Sequence, residues 1–221
     1  MVVAKYVYIK KMKLKSFDLF AGIGGMRIGL EQALKRLNIK HDCVMASDID
    51  KYAKETYLNN FPSTPFIGDI SELNNVNKIK KIIPKHNLLL AGFPCQPFSR
   101  AGHKKGLEDT RGTLFYYIAK ILSNKKPDAF ILENVRGLKE HDKGRTLEIM
   151  LKVLRKKYLV PDPKVLNSKD FGLPQNRARI FIVGIRKDLY KKLCENDDKI
   201  NTLEDLNENQ DKYFNLVFGT H

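Results

Sequence analysis

Short apolar segments alternate with amphipathic ones along most of this chain, and no other feature restricts the fold as much. KSFDLF (15–20) reads as a buried strand, after which Ile23, Met26, Leu30, Ala33, Leu34 and Leu37 recur at helical spacing on one face. CVMASDI (43–49) predicts a second strand, and DKYAKETYLNNF a helix capped by Asp50. A third strand is expected to end at GDI (68–70). NLLLAGF (87–93), DAFILENV (128–135) and RIFIVGIR (179–186) read as further strands. Helical segments lie between them: GTLFYYIAKILSNKK, which stops before Pro127, and RTLEIMLKVLRKKY. Repeated strand–helix units imply an α/β fold, a doubly wound and mostly parallel sheet with helices on both faces. Ligands in such sheets bind beyond the carboxyl ends of the strands. The motifs DLFAGIGG, SDID, GDI, GFPCQ and ENV all fall at those ends.

Composition sets outer bounds. A chain of 221 residues, 43% hydrophobic, suits one core-forming domain, expected over 15–190. A basic extension precedes it over 1–14, and a polar tail or the start of a second domain follows over 191–221. No apolar run approaches the roughly 18 to 20 residues of a membrane span. No secretory signal pattern opens the chain, so a cytoplasmic protein with no membrane partner is expected. Cys43, Cys95 and Cys194 are odd in number and lack C-x-x-C spacing, which argues against a disulfide framework or a zinc site. The net charge of +15 attracts polyanions, of which nucleic acid is the commonest; lysine-rich composition alone would give the same number.

FAGIGGMRIG opens the first helix. Its glycines let a ligand approach the backbone, and the helix start offers free N–H groups. The fingerprint G-x-G-x-x-G fails, because Arg27 stands at its third glycine. A ligand bearing a carboxylate therefore fits as well as one bearing a diphosphate. Asp48, at the end of the second strand, is placed to accept from ribose hydroxyls, and Asp69 from an exocyclic amine such as that of adenine. Carboxylate, ribose and adenine together describe S-adenosylmethionine. A tight turn with two helix caps is the alternative.

GFPCQPFSRAG mounts Cys95 between Pro94 and Pro97, a stiff setting suited to a nucleophile and unnecessary for a packing residue. Glu133 follows four apolar residues on the next strand. Partial burial there raises its pKa and favours an acid able to protonate a ring nitrogen. Arg177 and Arg179 alternate before the last strand, and their planar forks suit carbonyl or phosphate oxygens.

With these motifs in order, the chain resembles the cytosine-C5 DNA methyltransferases. The matching stretches are DLFAGIGGMRIGLE, GFPCQPFSRAG, RGTLF, ILENVRGL and QNRARIFIVG, over about residues 17–184. The resemblance implies a Rossmann-like methyltransferase fold, S-adenosylmethionine as cofactor, double-stranded DNA as partner and a restriction-modification setting. It implies that Phe20, Gly22, Gly24, Gly25, Asp48, Ile49, Asp69, Ile70, Pro94 and Leu114 line the cofactor pocket. Cys95 would attack C6 of a flipped cytosine, Glu133 would serve N3, and Arg179, with Arg177 beside it, would hold the base. Gln96, Ser99 and Arg100 would contact DNA from a mobile loop. The family pattern continues with a target-recognition region and a final motif, and nothing after Arg186 resembles either. A complementary subunit or a missing C-terminal region is therefore expected. Two other readings stay open: an RNA (tRNA) cytosine methyltransferase, and a non-catalytic cofactor-binding subunit. A nicotinamide dehydrogenase fits poorly, since the glycine fingerprint fails.

Overall fold

The computed structural model describes residues 13–94 and 113–194. Most of the basic extension, the polar tail from 195 on, and Cys95, Gln96, Ser99 and Arg100 lie outside the described residues.

Strands β1 (Leu14–Leu19), β2 (His41–Ser47), β3 (Phe66–Ile67), β4 (Leu88–Gly92) and β5 (Ala129–Val135) run parallel. Strand β8 (Ala178–Arg186) lies antiparallel to β5, and its far side pairs with β6 (Tyr158–Leu159) and β7 (Lys164–Asn167). The order is β3-β2-β1-β4-β5-β8-β6. The connection leaving β3 crosses to the other side of β1, so strand order reverses between β1 and β4. That crevice is where ligands of open α/β sheets bind.

Burial explains the central strands. Residues 16–19 of β1 and 88–91 of β4 are buried on both faces, as expected of parallel strands covered by helices. Strand β5 alternates instead: Phe130, Leu132 and Asn134 are buried, while Ile131 and Glu133 are half-buried on the other face. The glycine at 184 lets the Phe130 ring cross β8, since a Cβ there would overlap it.

The helices are α1 (Gly25–Arg36), α2 (Lys51–Asn60), α3 (Val76–Ile82), α4 (Leu114–Lys125), α5 (Arg145–Leu154) and α6 (Lys187–Cys194). Helix α4 buries Phe115, Ile118, Ala119, Ile121 and Leu122, each large side chain worth about 1.5–3 kcal/mol of transfer from water. Helix α5 buries Thr146, Leu147, Met150 and Leu154 at helical spacing. Helix α1 departs from the sequence reading. Of its expected apolar face only Leu34 is buried, and Ile23 and Leu37 fall outside the helix and are exposed. The third strand is also shorter than GDI suggests, ending at Ile67.

Candidate active site

The turn after β1 is built on left-handed backbone. Phe20 (φ 55°), Gly22 (φ 54°) and Gly24 (φ 95°) all adopt it. Glycine does so freely, whereas phenylalanine does so at a cost of about 1–3 kcal/mol. Two hydrogen bonds tie the turn to the end of β2, Ala21 N donating to Ser47 O (2.9 Å) and Gly22 N to Asp48 Oδ2 (2.7 Å), and Gly24 N closes it internally on Ala21 O (2.9 Å). Cβ atoms added at Gly22 or Gly25 would meet no atom within 4 Å from the other described residues beyond their chain neighbours, so the space beside both is open to a ligand as far as those residues go.

Asp48 also accepts from Asp50 N through Oδ1 (2.9 Å), and Asp50 caps α2 by accepting from Tyr52 N and Ala53 N. Ile49, between them, is 76% exposed. Asp69 accepts from Ser71 N (2.7 Å) and Ser71 Oγ (2.6 Å) and caps the 3-10 turn Ile70–Glu72; each oxygen keeps a lone pair for a further donor. Ile70 is 2% exposed and its side chain packs in the core, so what it offers a ligand there is its backbone. Gly24 is seated on the Tyr57 and Phe61 rings, where a Cβ would find no room. Phe20 and Leu114 are partly buried against the core, and Pro94 is exposed at the end of the described segment.

The acid meets this turn through a glycine. Gly92 and Glu133 are register partners on β4 and β5. A Cβ on Gly92 would stand 3.3 Å from Glu133 Oε2, 3.6 Å from Met26 Sδ and 3.9 Å from Phe20 O. Turn, first helix and acid therefore converge at the switch point. Glu133 Oε1 pairs with Arg179 Nε at 2.9 Å. The antiparallel register sets Glu133 opposite Phe181 and Val135 opposite Arg179, so acid and guanidinium are diagonal neighbours on one face. Burial pushes the Glu133 carboxyl above the usual carboxylate range, and the charges of Arg179 and Arg177 only partly offset it. Arg177 is exposed, its backbone N–H held by Asn167 Oδ1 (2.9 Å).

One contributor escapes the sequence reading. Asn134 is buried, and its Nδ2 donates to Phe93 O (2.8 Å), fixing the backbone that leads into Pro94 and Cys95. Its signal is a polar residue at a core position of β5, which must find a partner. Among the described residues no His, Cys, Asp or Glu cluster could hold a metal ion, and no helix is long and apolar enough to cross a membrane.

Comparison with known proteins adds a family. The family model for C-5 cytosine-specific DNA methylase matches residues 14–217. The chain is 52% identical over 174 residues to the type II methyltransferase M.BanI of Aneurinibacillus aneurinilyticus, a match covering 79% of this chain and 39% of that protein. It is 52% identical over 170 residues to M.NlaX of Neisseria lactamica, covering 77% and 51%. Among solved structures it is similar to the S. pombe Dnmt2 methyltransferase, with TM-score 0.62, 31% identity, and coverage of 79% of this chain and 51% of that one. The chain thus spans about half the length, or less, of these relatives.

Proposed function

Because the chain belongs to the C-5 cytosine-specific DNA methylase family, we propose that it methylates C5 of cytosine in double-stranded DNA as the catalytic portion of a type II modification enzyme. The observation that carries this reading is the convergence of the glycine turn, Met26 and Glu133 around Gly92. When bound, S-adenosylmethionine supplies the methyl group. The open backbone at Gly22 and Gly25, the Asp48 and Asp69 carboxylates and the exposed Ile49 would hold it.

In this reading Cys95, as the thiolate, adds to C6 of a cytosine turned out of the duplex, because a stacked base hides both ring faces. Glu133 gives its proton to N3, which draws the electron pair away from C6 and leaves C5 electron-rich. Arg179, held against Glu133, steadies the base carbonyl. After methylation a solvent base takes the C5 proton, the C5–C6 double bond re-forms as the thiolate is expelled, and N3 returns its proton to Glu133, restoring the aromatic ring. A recognition region, on further chain or on a complementary subunit, is the partner that target choice would require.

The test uses duplex DNA carrying 5-fluorocytosine, whose C5 fluorine blocks the final elimination. Wild-type chain with S-adenosylmethionine should form a denaturation-resistant adduct, and Cys95→Ser should form none. Adduct formed equally by both would remove Cys95 from the mechanism. Adduct on transfer RNA and none on DNA would replace the substrate.

A further inference from the structure

A buried polar relay lies outside the residues assigned to the reaction. Tyr57, on α2, is fully buried, and its hydroxyl is the node. That hydroxyl donates to Asp18 Oδ2 (3.2 Å), accepts from Arg27 Nη1 (3.2 Å) and lies 3.6 Å from Cys43 Sγ. Arg27 also donates from Nη1 to Thr64 Oγ1 (2.6 Å) and from Nε to Glu31 Oε1 (2.7 Å), while its guanidinium sits 3.8 Å from the Phe61 ring centroid. Glu31 Oε1 is 3.4 Å from His41 Nδ1, and His41 Nε2 pairs with Ser16 Oγ at 2.8 Å.

The relay grips the glycine turn from both ends. Asp18 lies just before the turn, and Gly24 near its far end. A Cβ on Gly24 would stand 2.7 Å from the Phe61 ring and 3.2 Å from the Tyr57 ring. Between them Phe20 holds a backbone conformation unfavourable to a non-glycine residue. Such strain persists only where the surroundings over-determine it. Arg27 stands where a dinucleotide fold has its third glycine, so α1 is held there by a stacked, forked cation in addition to the close backbone approach at Gly24.

We propose that Arg27, Tyr57 and Asp18 are positioning residues which hold the Phe20–Gly25 turn in its cofactor-receiving shape. This rests on the reading of that turn as the S-adenosylmethionine site. Burial pushes the Tyr57 hydroxyl pKa upward, so it stays protonated and remains a donor to Asp18. The charged groups facing Asp18 are Arg27 and Glu31 from α1 and Asp48 after β2.

The test uses Tyr57→Phe, which keeps the ring under Gly24 and deletes the node, and Arg27→Met, which keeps an apolar stem over Phe61. S-adenosylmethionine affinity is read by calorimetry well below the melting temperature, and duplex DNA affinity by anisotropy. Each folded variant should bind cofactor about tenfold more weakly, the loss expected for one or two buried hydrogen bonds, with DNA affinity unchanged. A purely structural role would lower melting temperature and leave cofactor affinity alone, and that result overturns the proposal. So does loss of the fold in both variants. Wild-type chain that binds no S-adenosylmethionine overturns the reading of the site, and this inference with it. Wild-type binding matched by both variants overturns only this inference.

Discussion

Glu133 keeps its proton to higher pH than an exposed glutamate because its carboxyl is buried, although Arg179 stands 2.9 Å away. If the protonated form serves N3, the methylation rate should fall as pH rises through that elevated pKa, and Glu133→Gln should flatten the alkaline limb. A pH–rate profile checks this, with a loss in kcat of about 10²–10⁴ for the variant. Asp18 makes a second titration claim. Burial raises its carboxyl to about 7 from an ordinary 3.8. The folded state therefore holds a proton that the unfolded state releases. Its contribution to stability is fully present below about pH 4 and is lost as pH climbs to and through about 7. Asp18→Asn cannot ionise, so the wild type should lose stability relative to this variant by about 1.4 kcal/mol per pH unit across that window. Urea melts at several pH values measure it. These residues differ in how far sequence exposes them. Asp50 is legible as a cap because its partners are the next few N–H groups. The Glu133–Arg179 pair is legible only as two suggestive residues, since the diagonal that joins them depends on an antiparallel register formed between distant strands.

At the level of elements, strand order and helix faces show unequal legibility. Strands β1 and β4 are apolar on both faces and bounded by turn residues, so their existence and burial follow from pattern. Helix α1 misleads, because Ile23, Met26, Leu30 and Leu37 have helical spacing, yet only Leu34 on that helix is buried. Its anchor is instead the half-buried Arg27, which no apolar periodicity reports. The fit of β5 to β8 depends on a single small residue, Gly184, under the Phe130 ring. Gly184→Ala should force that ring aside and cost about 1–3 kcal/mol, as overpacked cores do. Chemical denaturation provides the number, and Gly184→Ala with Phe130→Leu should recover part of the loss. Recovery identifies the clash as the cause, whereas equal destabilisation by the single and double variants points to the glycine backbone.

For the whole molecule, the net charge of +15 would set how the chain meets the DNA of the proposed reaction. Phosphate contacts carry no sequence information, so binding by these 221 residues should be steeply salt-dependent and nearly indifferent to sequence. Anisotropy with unrelated duplexes at several salt concentrations tests this; strong preference for one duplex would place base readout within the chain. The crossover at the switch point bears on the order in which the molecule is made. Strands β1, β2 and β3 are synthesised first, and the second edge of β1 stays open until β4 arrives. Cys95 follows at once, but Glu133 comes only with β5, and Arg179 only with β8, which folds back antiparallel. On the ribosome the proposed nucleophile therefore exists before the proposed acid, and that acid before the arginine that pairs with it. Non-local pairings of this kind form late, after the loops they close have been synthesised. On the proposed reading, a nascent chain would lack the assembled Glu133–Arg179 pair until β8 docks, so the candidate site would be completed only when that strand joins the sheet.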